Sequence, residues 1–190
     1  MMDGDTATGD LRSDHQLILT VLGALDGILT AETVHTQLDF RALRDCITFF
    51  RLFADACHHG KEEDLLFPEL VERGLPEDAG PIAVMLEDHR RGRAFVARMA
   101  ESIDAAAAGD VAATAVLRDA AVAYLDLLRA HIGKEDFVLF EMADGMVTGS
   151  ACRTLCDQYA VVCGRRFEGH TKEELEVLAG TLADRYPDFR

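Results

Sequence analysis

The sequence has few residues that break helices and few segments typical of a β-strand. Only four prolines occur in 190 residues. Apolar residues recur mainly at spacings of three and four, which is the period of an amphipathic helix. The chain is therefore predicted to be all-α.

Features of nucleic-acid-binding and membrane proteins are also missing. The formal net charge is −15, so phosphate backbones and anionic membranes are repelled unless a local basic patch overcomes the general field. The first residues show no basic start followed by an apolar stretch, and no segment approaches the roughly 20 apolar residues that span a bilayer. These absences predict a soluble, cytoplasmic protein with no nucleic-acid or membrane partner.

Several motifs of metal sites and enzymes are absent as well. The five cysteines form no CxxC pair. Cys152, Cys156 and Cys163 stand at helical spacings in an apolar segment, which favours buried free thiols. No HExxH, glycine-rich phosphate loop or Ser/His/Asp set is evident, so hydrolase and nucleotide chemistry have no support.

The apolar pattern predicts four long helices over residues 13–145. Breaks rich in glycine and proline separate them, and the short connections favour an up-down antiparallel four-helix bundle. The predicted helix starts are Ser13, which forms a capping-box pattern with Gln16, and then Asp39, Pro81 and Val111.

The remaining parts of the chain are less informative. Residues 1–12 are interpreted as a flexible leader. Residues 146–190 are interpreted as additional C-terminal helices packed on the bundle, the last of which opens with a capping box of Thr171 and Glu174.

Two ten-residue segments repeat almost residue for residue. HHGKEEDLLF begins at His58 and HIGKEDFVLF begins at His131, and an offset of 73 also maps Glu62 onto Glu135. Upstream, the Asp-His pair ending at His15 returns ending at His89, offset by 74. The chain thus contains two related helix pairs, each with one early histidine and one later HxxxE.

The spacing of these residues places them together in the core. Residues four apart lie on one helix face, about 5–6 Å apart, and each early histidine shares a face with apolar residues. The first HxxxE pair shares its predicted inward face with Leu65, and the second shares its face with Val138. The bundle centre is therefore predicted to receive His15, His58, Glu62, His89, His131 and Glu135.

Buried carboxylates without partners would cost at least several kcal/mol each, so a cation must offset their charge. Mixed imidazole and carboxylate ligation suits iron, zinc or manganese better than calcium or magnesium. We expect two iron ions, with an oxo or hydroxo bridge as an option, and rank zinc or manganese below them.

The set of motifs, H then HxxxE then H then HxxxE, resembles the hemerythrin-like HHE cation-binding domains over roughly residues 13–145. The resemblance implies an up-down bundle that encloses a non-haem di-iron centre for oxygen or related small molecules. By position, the resemblance implies the same six ligands.

The sequence departs from the oxygen-carrying hemerythrins in one respect. Those proteins resemble this chain but have an HxxxH pair on the third helix, whereas His89 is followed four residues later by Arg93. Fewer protein ligands leave more open positions, which favours reactivity over reversible carriage. His59 could substitute for the missing histidine, or serve as a supporting or surface group. Asp136 is the alternative to Glu135.

Other nearby residues carry two readings each. Asp14 and Asp88 either stabilise the positive end of a helix dipole or accept a hydrogen bond from a ligand imidazole. Tyr124 lies two turns before His131 and has a possible role near the metals. By itself, the GKEED run that begins at Gly60 and contains Lys61 is typical of a solvated segment.

Three functions stay open. The first is a di-iron protein that binds or reduces O2, peroxide or NO, with turnover undecided and an unidentified reductase or protein partner. The second is an iron- or oxygen-binding sensor or storage module, and the third is a bundle held by structural zinc. The ferritin-like Glu-x-x-His pattern fits only Glu32 and His35, in a predicted loop. A role in iron-sulphur repair is disfavoured, because similar repair proteins usually add an N-terminal cysteine-bearing module and no cysteine precedes Cys46 in this sequence.

Overall fold

The computed structural model describes residues 6–31, 38–164 and 169–187. Within these ranges the chain forms six helices and no strand, which confirms the all-α prediction. The helices are α1 (Gly9–Ala31), α2 (40–72), α3 (Gly80–Ala107), α4 (111–146), α5 (Gly149–Gly164) and α6 (Lys172–Arg185). Glu32 and His35, and residues 1–5 of the predicted leader, lie outside the described residues.

The helix starts predicted at Asp39 and Thr171 are confirmed. The Asp39 carboxylate accepts hydrogen bonds from the backbone N–H groups of Arg41 and Ala42, both at 3.1 Å, and Thr171 forms the predicted capping box. The prediction for Ser13 is wrong. Helix α1 already begins at Gly9, and the Ser13 hydroxyl donates to the Gly9 carbonyl at 3.1 Å, as a serine inside a helix commonly does.

Helices α2 and α4 are not α-helical throughout. Helix α2 contains the π-helical segments Phe50–His59 and Glu62–Leu66, and helix α4 contains the π-helical segment Glu135–Leu139. Hydrogen bonds in a π-helix join residues i and i+5, so each turn is wider than an α-helical turn. The buried face consequently advances by one residue.

This shift corrects two predicted core positions. An α-helical period places Leu65 and Val138 on the inward face with the HxxxE pairs. In the structure Leu66 and Leu139 are fully buried instead, while half of Val138 is exposed.

The first four helices pack in a closed sequence of neighbours. Helix α3 makes its most extensive contacts with α4, from which only residues 108–110 separate it, and α1 contacts both α2 and α4. Helix α5 packs on the π-helical part of α2, and α6 packs on α1 and on the first part of α2. This arrangement is consistent with a hemerythrin-like helical bundle.

The core consists of two apolar clusters with polar residues between them. Along α2, one cluster includes residues up to Cys57 and the other begins at Leu66. The intervening His58, His59, Lys61 and Glu62 are all buried. The sequence thus leaves a charged, water-poor layer in the middle of the bundle.

The prediction of free thiols is wrong for Cys163. Its sulfur is bonded to that of Cys57, with the two Cα atoms 4.6 Å apart. Cys46, Cys152 and Cys156 form no disulfide within the described part of the chain. Because 106 residues separate the bonded pair, only the packing of α5 on α2 brings the two cysteines together.

None of the helices in the described ranges has the length and apolar character that crossing a bilayer requires.

Candidate metal centre

The structure brings all six sequence-predicted ligands together and adds His59. Their side chains come from α1, α2, α3 and α4, and each is at most 3% exposed. The donor atoms form two groups, in each of which every donor lies within 4.8 Å of the others. Glu62 belongs to both groups.

The first group contains His15, His58, Glu62 and Glu135. The Nε2 atoms of His15 and His58 are 3.0 Å apart, and His15 Nε2 lies 3.2 Å from Glu135 Oε2. His58 Nε2 lies 3.6 Å from Glu62 Oε1. Two imidazoles and two carboxylates thus face one point.

The second group contains His59, Glu62, His89 and His131. His89 Nε2 lies 3.4 Å from Glu62 Oε2, and His131 Nε2 lies 3.1 Å from Glu135 Oε2. Glu62 and Glu135 therefore stand between the two groups. This arrangement fits two neighbouring cations that share carboxylate ligands.

The sequence alone does not decide whether His59 faces the centre. In an α-helix, adjacent residues point about 100° apart, which would turn His59 away from the centre that His58 faces. The π-helical segment Phe50–His59 narrows that angle. The His59 ring stacks on His89, with centroids 3.8 Å apart. Its position next to His58 is the sequence signal for His59.

The buried polar atoms without a partner indicate what the centre lacks. Among the described residues, all eight such side-chain atoms belong to six residues of the centre: His58, His59, Glu62, His89, His131 and Glu135. Leaving such atoms unpaired costs about 1–3 kcal/mol each, more where charged. A cation at each group would satisfy the inward-facing nitrogens and oxygens, so the donor set fits metal ions.

The two glutamates show the same need for positive charge. Burial, and then the neighbouring Glu135 carboxylate, raise the pKa of Glu62 well above its ordinary value. Burial also acts to raise the pKa of Glu135, but the His131 and His15 imidazoles outweigh it and hold that pKa well below the ordinary value. Protein groups alone therefore stabilise one carboxylate charge and not the second.

Each of the five histidines has a carboxylate beside its outward-facing nitrogen, Nδ1. Such a partner fixes the orientation of a ligand imidazole and raises its basicity. The distances are 2.9 Å for His15 to Asp136, 3.5 Å for His58 to Asp14, 3.3 Å for His59 to Asp55, 2.7 Å for His89 to Glu63 and 3.6 Å for His131 to Asp88.

These contacts decide several open readings. Asp14 and Asp88 lie beside the His58 and His131 imidazoles at 3.5 and 3.6 Å, which is ion-pair distance and not a hydrogen bond. Asp136 is in neither donor group and lies beside His15, whereas Glu135 is in the centre. Tyr124 is buried but outside both donor groups.

Five cations surround these outer carboxylates. Arg91 lies 3.9 Å from Asp88. Lys61 Nζ lies 2.7 Å from Asp14 and Lys134 Nζ contacts Asp88. Arg12 lies 3.5 Å from Asp136. Arg93 lies 2.8 Å from both Asp55 and Glu63.

The lysines explain part of the sequence repeat. Lys61 and Lys134 occupy the same place in the two HxGKE segments, and each neutralises the aspartate behind the histidine that opens its segment. The reading of GKEED as a solvated run is wrong for Lys61, which is 3% exposed.

The ionisable side chains in and around the centre carry an excess of negative charge. The two central glutamates and the five outer carboxylates, when ionised, face five cationic side chains, so two negative charges remain unbalanced if the imidazoles are neutral. Two metal ions would compensate them. His170, for which the sequence indicates no role, is exposed and pairs locally with Glu174 at 3.6 Å.

A family model described as the hemerythrin HHE cation binding domain matches residues 6–143. Curated relatives include an uncharacterized protein of Mycobacterium bovis and two of Mycobacterium tuberculosis, each 26% identical over 162 residues. The matches cover 85% of this chain but 63% of each relative. No solved structure matches the chain significantly.

Proposed function

The chain belongs to the hemerythrin HHE cation-binding domain family, and on that premise we propose that its centre holds two iron ions and binds O2, peroxide or NO. The observation that supports this most directly is the pair of donor groups joined by Glu62. We further propose an up-down course for α1 to α4, which the closed sequence of helix contacts and the short α3–α4 connection support.

Iron suits the donor set better than the other cations considered. Calcium and magnesium prefer oxygen ligands, whereas each group offers at least two imidazole nitrogens. Structural zinc sites close a four-coordinate shell without a shared ligand. Two ions that share carboxylates, with further positions open to an outside ligand, suit iron.

The protein's contribution is orientation, charge and exclusion of water. When bound, a pair of iron ions supplies electrons and open coordination positions for a small ligand. The outer carboxylates orient the five imidazoles and stabilise their Nδ1 protons, leaving Nε2 as the inward donor. The two apolar clusters exclude water on both sides of the centre, which strengthens electrostatic interactions inside it.

Two alternatives remain as second candidates. An iron- or oxygen-dependent sensor or storage module would use the same site without turnover, and α5 and α6 would carry its response to a partner. Their packing against the ligand-bearing helix α2 favours this reading over that of an unrelated extension. A zinc-held bundle would have the same metal stoichiometry but no visible spectrum.

The decisive experiment measures metal and spectrum together. Protein purified without oxygen is analysed for iron, zinc and manganese, and its visible spectrum is recorded after addition of O2, hydrogen peroxide, NO or azide. We expect about two irons per chain, by the donor grouping, and a spectrum that each ligand changes. Zinc at the same ratio with no spectrum would contradict the proposal, whereas a reversible O2 band without peroxide consumption would favour binding over turnover.

A further inference from the structure

A half-open cavity of about 460 Å³ lies between α2 and α3, next to the second donor group. Its inner end is lined by His59 and Tyr124, which are 3% and 2% exposed. Its outer part is lined by Ala97 and Ala100, both exposed. The cavity therefore connects the surface with the side of the centre that contains His59.

The size of the cavity exceeds what a diatomic ligand needs. A water molecule occupies about 30 Å³ in the liquid, and sites for small organic molecules range from about 300 to 1,000 Å³. At about 460 Å³, the cavity fits a small organic molecule.

The lining indicates a molecule without charge. Phe50, Gly92 and Val96 form apolar walls, and the charged residues of the lining balance, with Arg51 and Arg93 against Asp55 and Glu101. The Asp55 carboxylate at the inner end is already paired with Arg93 at 2.8 Å and with His59 at 3.3 Å. A charged ligand would lose its hydration without gaining an unpaired partner there, which is costly.

One neutral hydroxyl marks the inner end. The Tyr124 ring packs on Phe50, with centroids 4.7 Å apart. Burial, and then the nearby Asp55 carboxylate, raise the pKa of Tyr124 well above its ordinary value, so its phenol stays protonated. It can donate one hydrogen bond to a polar group of a ligand.

We propose that this cavity binds a small uncharged organic molecule with an apolar body and a single polar head, of the organic hydroperoxide class. The apolar body lies against Val96 and Phe50, and the head lies at the Tyr124 and His59 end. The choice of a hydroperoxide head rests on the proposed iron centre; the size and polarity of the ligand rest on the cavity alone.

Gly92 offers a way to fill the cavity without disturbing the helix. A Cβ atom there would lie 3.6 Å from Tyr124 Cε2 and 3.9 Å from Leu127 Cδ2, which are ordinary contacts. Replacing glycine also favours a helix, because glycine loses more backbone freedom there than other residues do. In Gly92→Leu the remaining side-chain atoms would occupy ligand space. Gly180→Leu, at an exposed and open position of α6, is the matched control.

The test uses zinc-loaded protein, which cannot turn over a peroxide, and isothermal titration calorimetry. The probes are 2-phenyl-2-propanol, which has an alcohol head, cumene, which has no head, and benzoate, which is charged. We expect the alcohol to bind more tightly than cumene and benzoate not to bind. Gly92→Leu should weaken alcohol binding about 10-fold or more, because it removes apolar contact area, and Gly180→Leu should leave it unchanged.

Ala97→Leu, at an exposed helical position, repeats the test at the outer part if Gly92→Leu does not fold. Equal affinity for the alcohol in wild type and both cavity variants, absence of alcohol binding, or benzoate binding as tight as the alcohol would overturn the proposal. Metal content is measured in the same samples with iron supplied. Alcohol binding without a metal pair would contradict only the proposed function, and a metal pair without alcohol binding would contradict only the cavity proposal.

Discussion

Replacing Arg93 with glutamine should weaken one of the two metal positions and spare the other. The Arg93 guanidinium lies 2.8 Å from both Asp55 and Glu63, and these carboxylates face the Nδ1 atoms of His59 and His89. One side chain therefore supports two ligands of the second donor group. The first group has its own supporting cations, Arg12 and Lys61.

The expected loss concerns metal affinity more than folding. The Arg93 side chain is 42% exposed, and ion pairs at such positions contribute about 0–1 kcal/mol to stability. Loss of an outer partner of a ligand typically lowers metal affinity about 10- to 100-fold, which corresponds to about 1.4–2.7 kcal/mol. Unfolding of the variant should therefore change little while one ion dissociates more readily.

A chelator titration of the metal-loaded protein, with metal content measured at each step, separates the two positions. In Arg93→Gln we expect the metal-to-protein ratio to fall from about two to about one at a chelator concentration that leaves wild type loaded. Arg90→Gln is the control, since exposed Arg90 on the same helix pairs only with Glu87 among the contacts seen. Arg93→Lys should restore part of the affinity, because an ammonium group cannot contact both carboxylates in the same fork geometry. Simultaneous loss of both ions, or identical curves for Arg93→Gln and Arg90→Gln, would refute this reasoning.

Three further predictions follow from the centre and its surroundings. His131→Ala should lower metal content and thermal stability, whereas His170→Ala should leave both near wild type; equal effects in metal analysis and thermal unfolding would count against the site. Burial acts to lower the pKa of His131, but Glu135 and Asp88 raise it to about 9. Because metal binding needs the neutral imidazole, metal uptake at pH 7 should release a proton from His131, and a pH-stat should record a release that declines as the pH rises through about 9. Reduction of the disulfide that joins α5 to α2 should lower the free energy of unfolding by about 2–4 kcal/mol, measured by denaturant titration with and without dithiothreitol; a double serine variant at these two positions should show no response to the reductant, and an equal response in wild type and variant would contradict the assignment.

Much of the fold follows from local patterns. The period of apolar residues predicts the helices, and Asp39 and Thr171 start them as expected because a side-chain acceptor satisfies free N–H groups at a helix start. Ser13 fails as a cap because the helix continues before it to Gly9. A capping pattern specifies a favourable start without excluding an earlier one.

The repeat in the sequence also predicts which side chains form the centre. Two HxxxE pairs and two early histidines, each on an apolar face, require a common buried position, and the structure brings these six side chains together. An α-helical period does not include π-helical turns. It therefore places Val138 on the buried face and does not decide whether His59 faces the centre.

The sequence by itself determined an all-helical chain and a buried set of imidazoles and carboxylates, because both are encoded in spacings of three and four residues. Only the tertiary structure decided that His59 joins the centre, that Arg93 supports two of its histidines, and that Cys57 bonds to Cys163. Each of these depends on residues from different helices, or on a local widening of one helix. Contacts of that kind are set by how helices pack, and the order of residues along one helix does not reveal them.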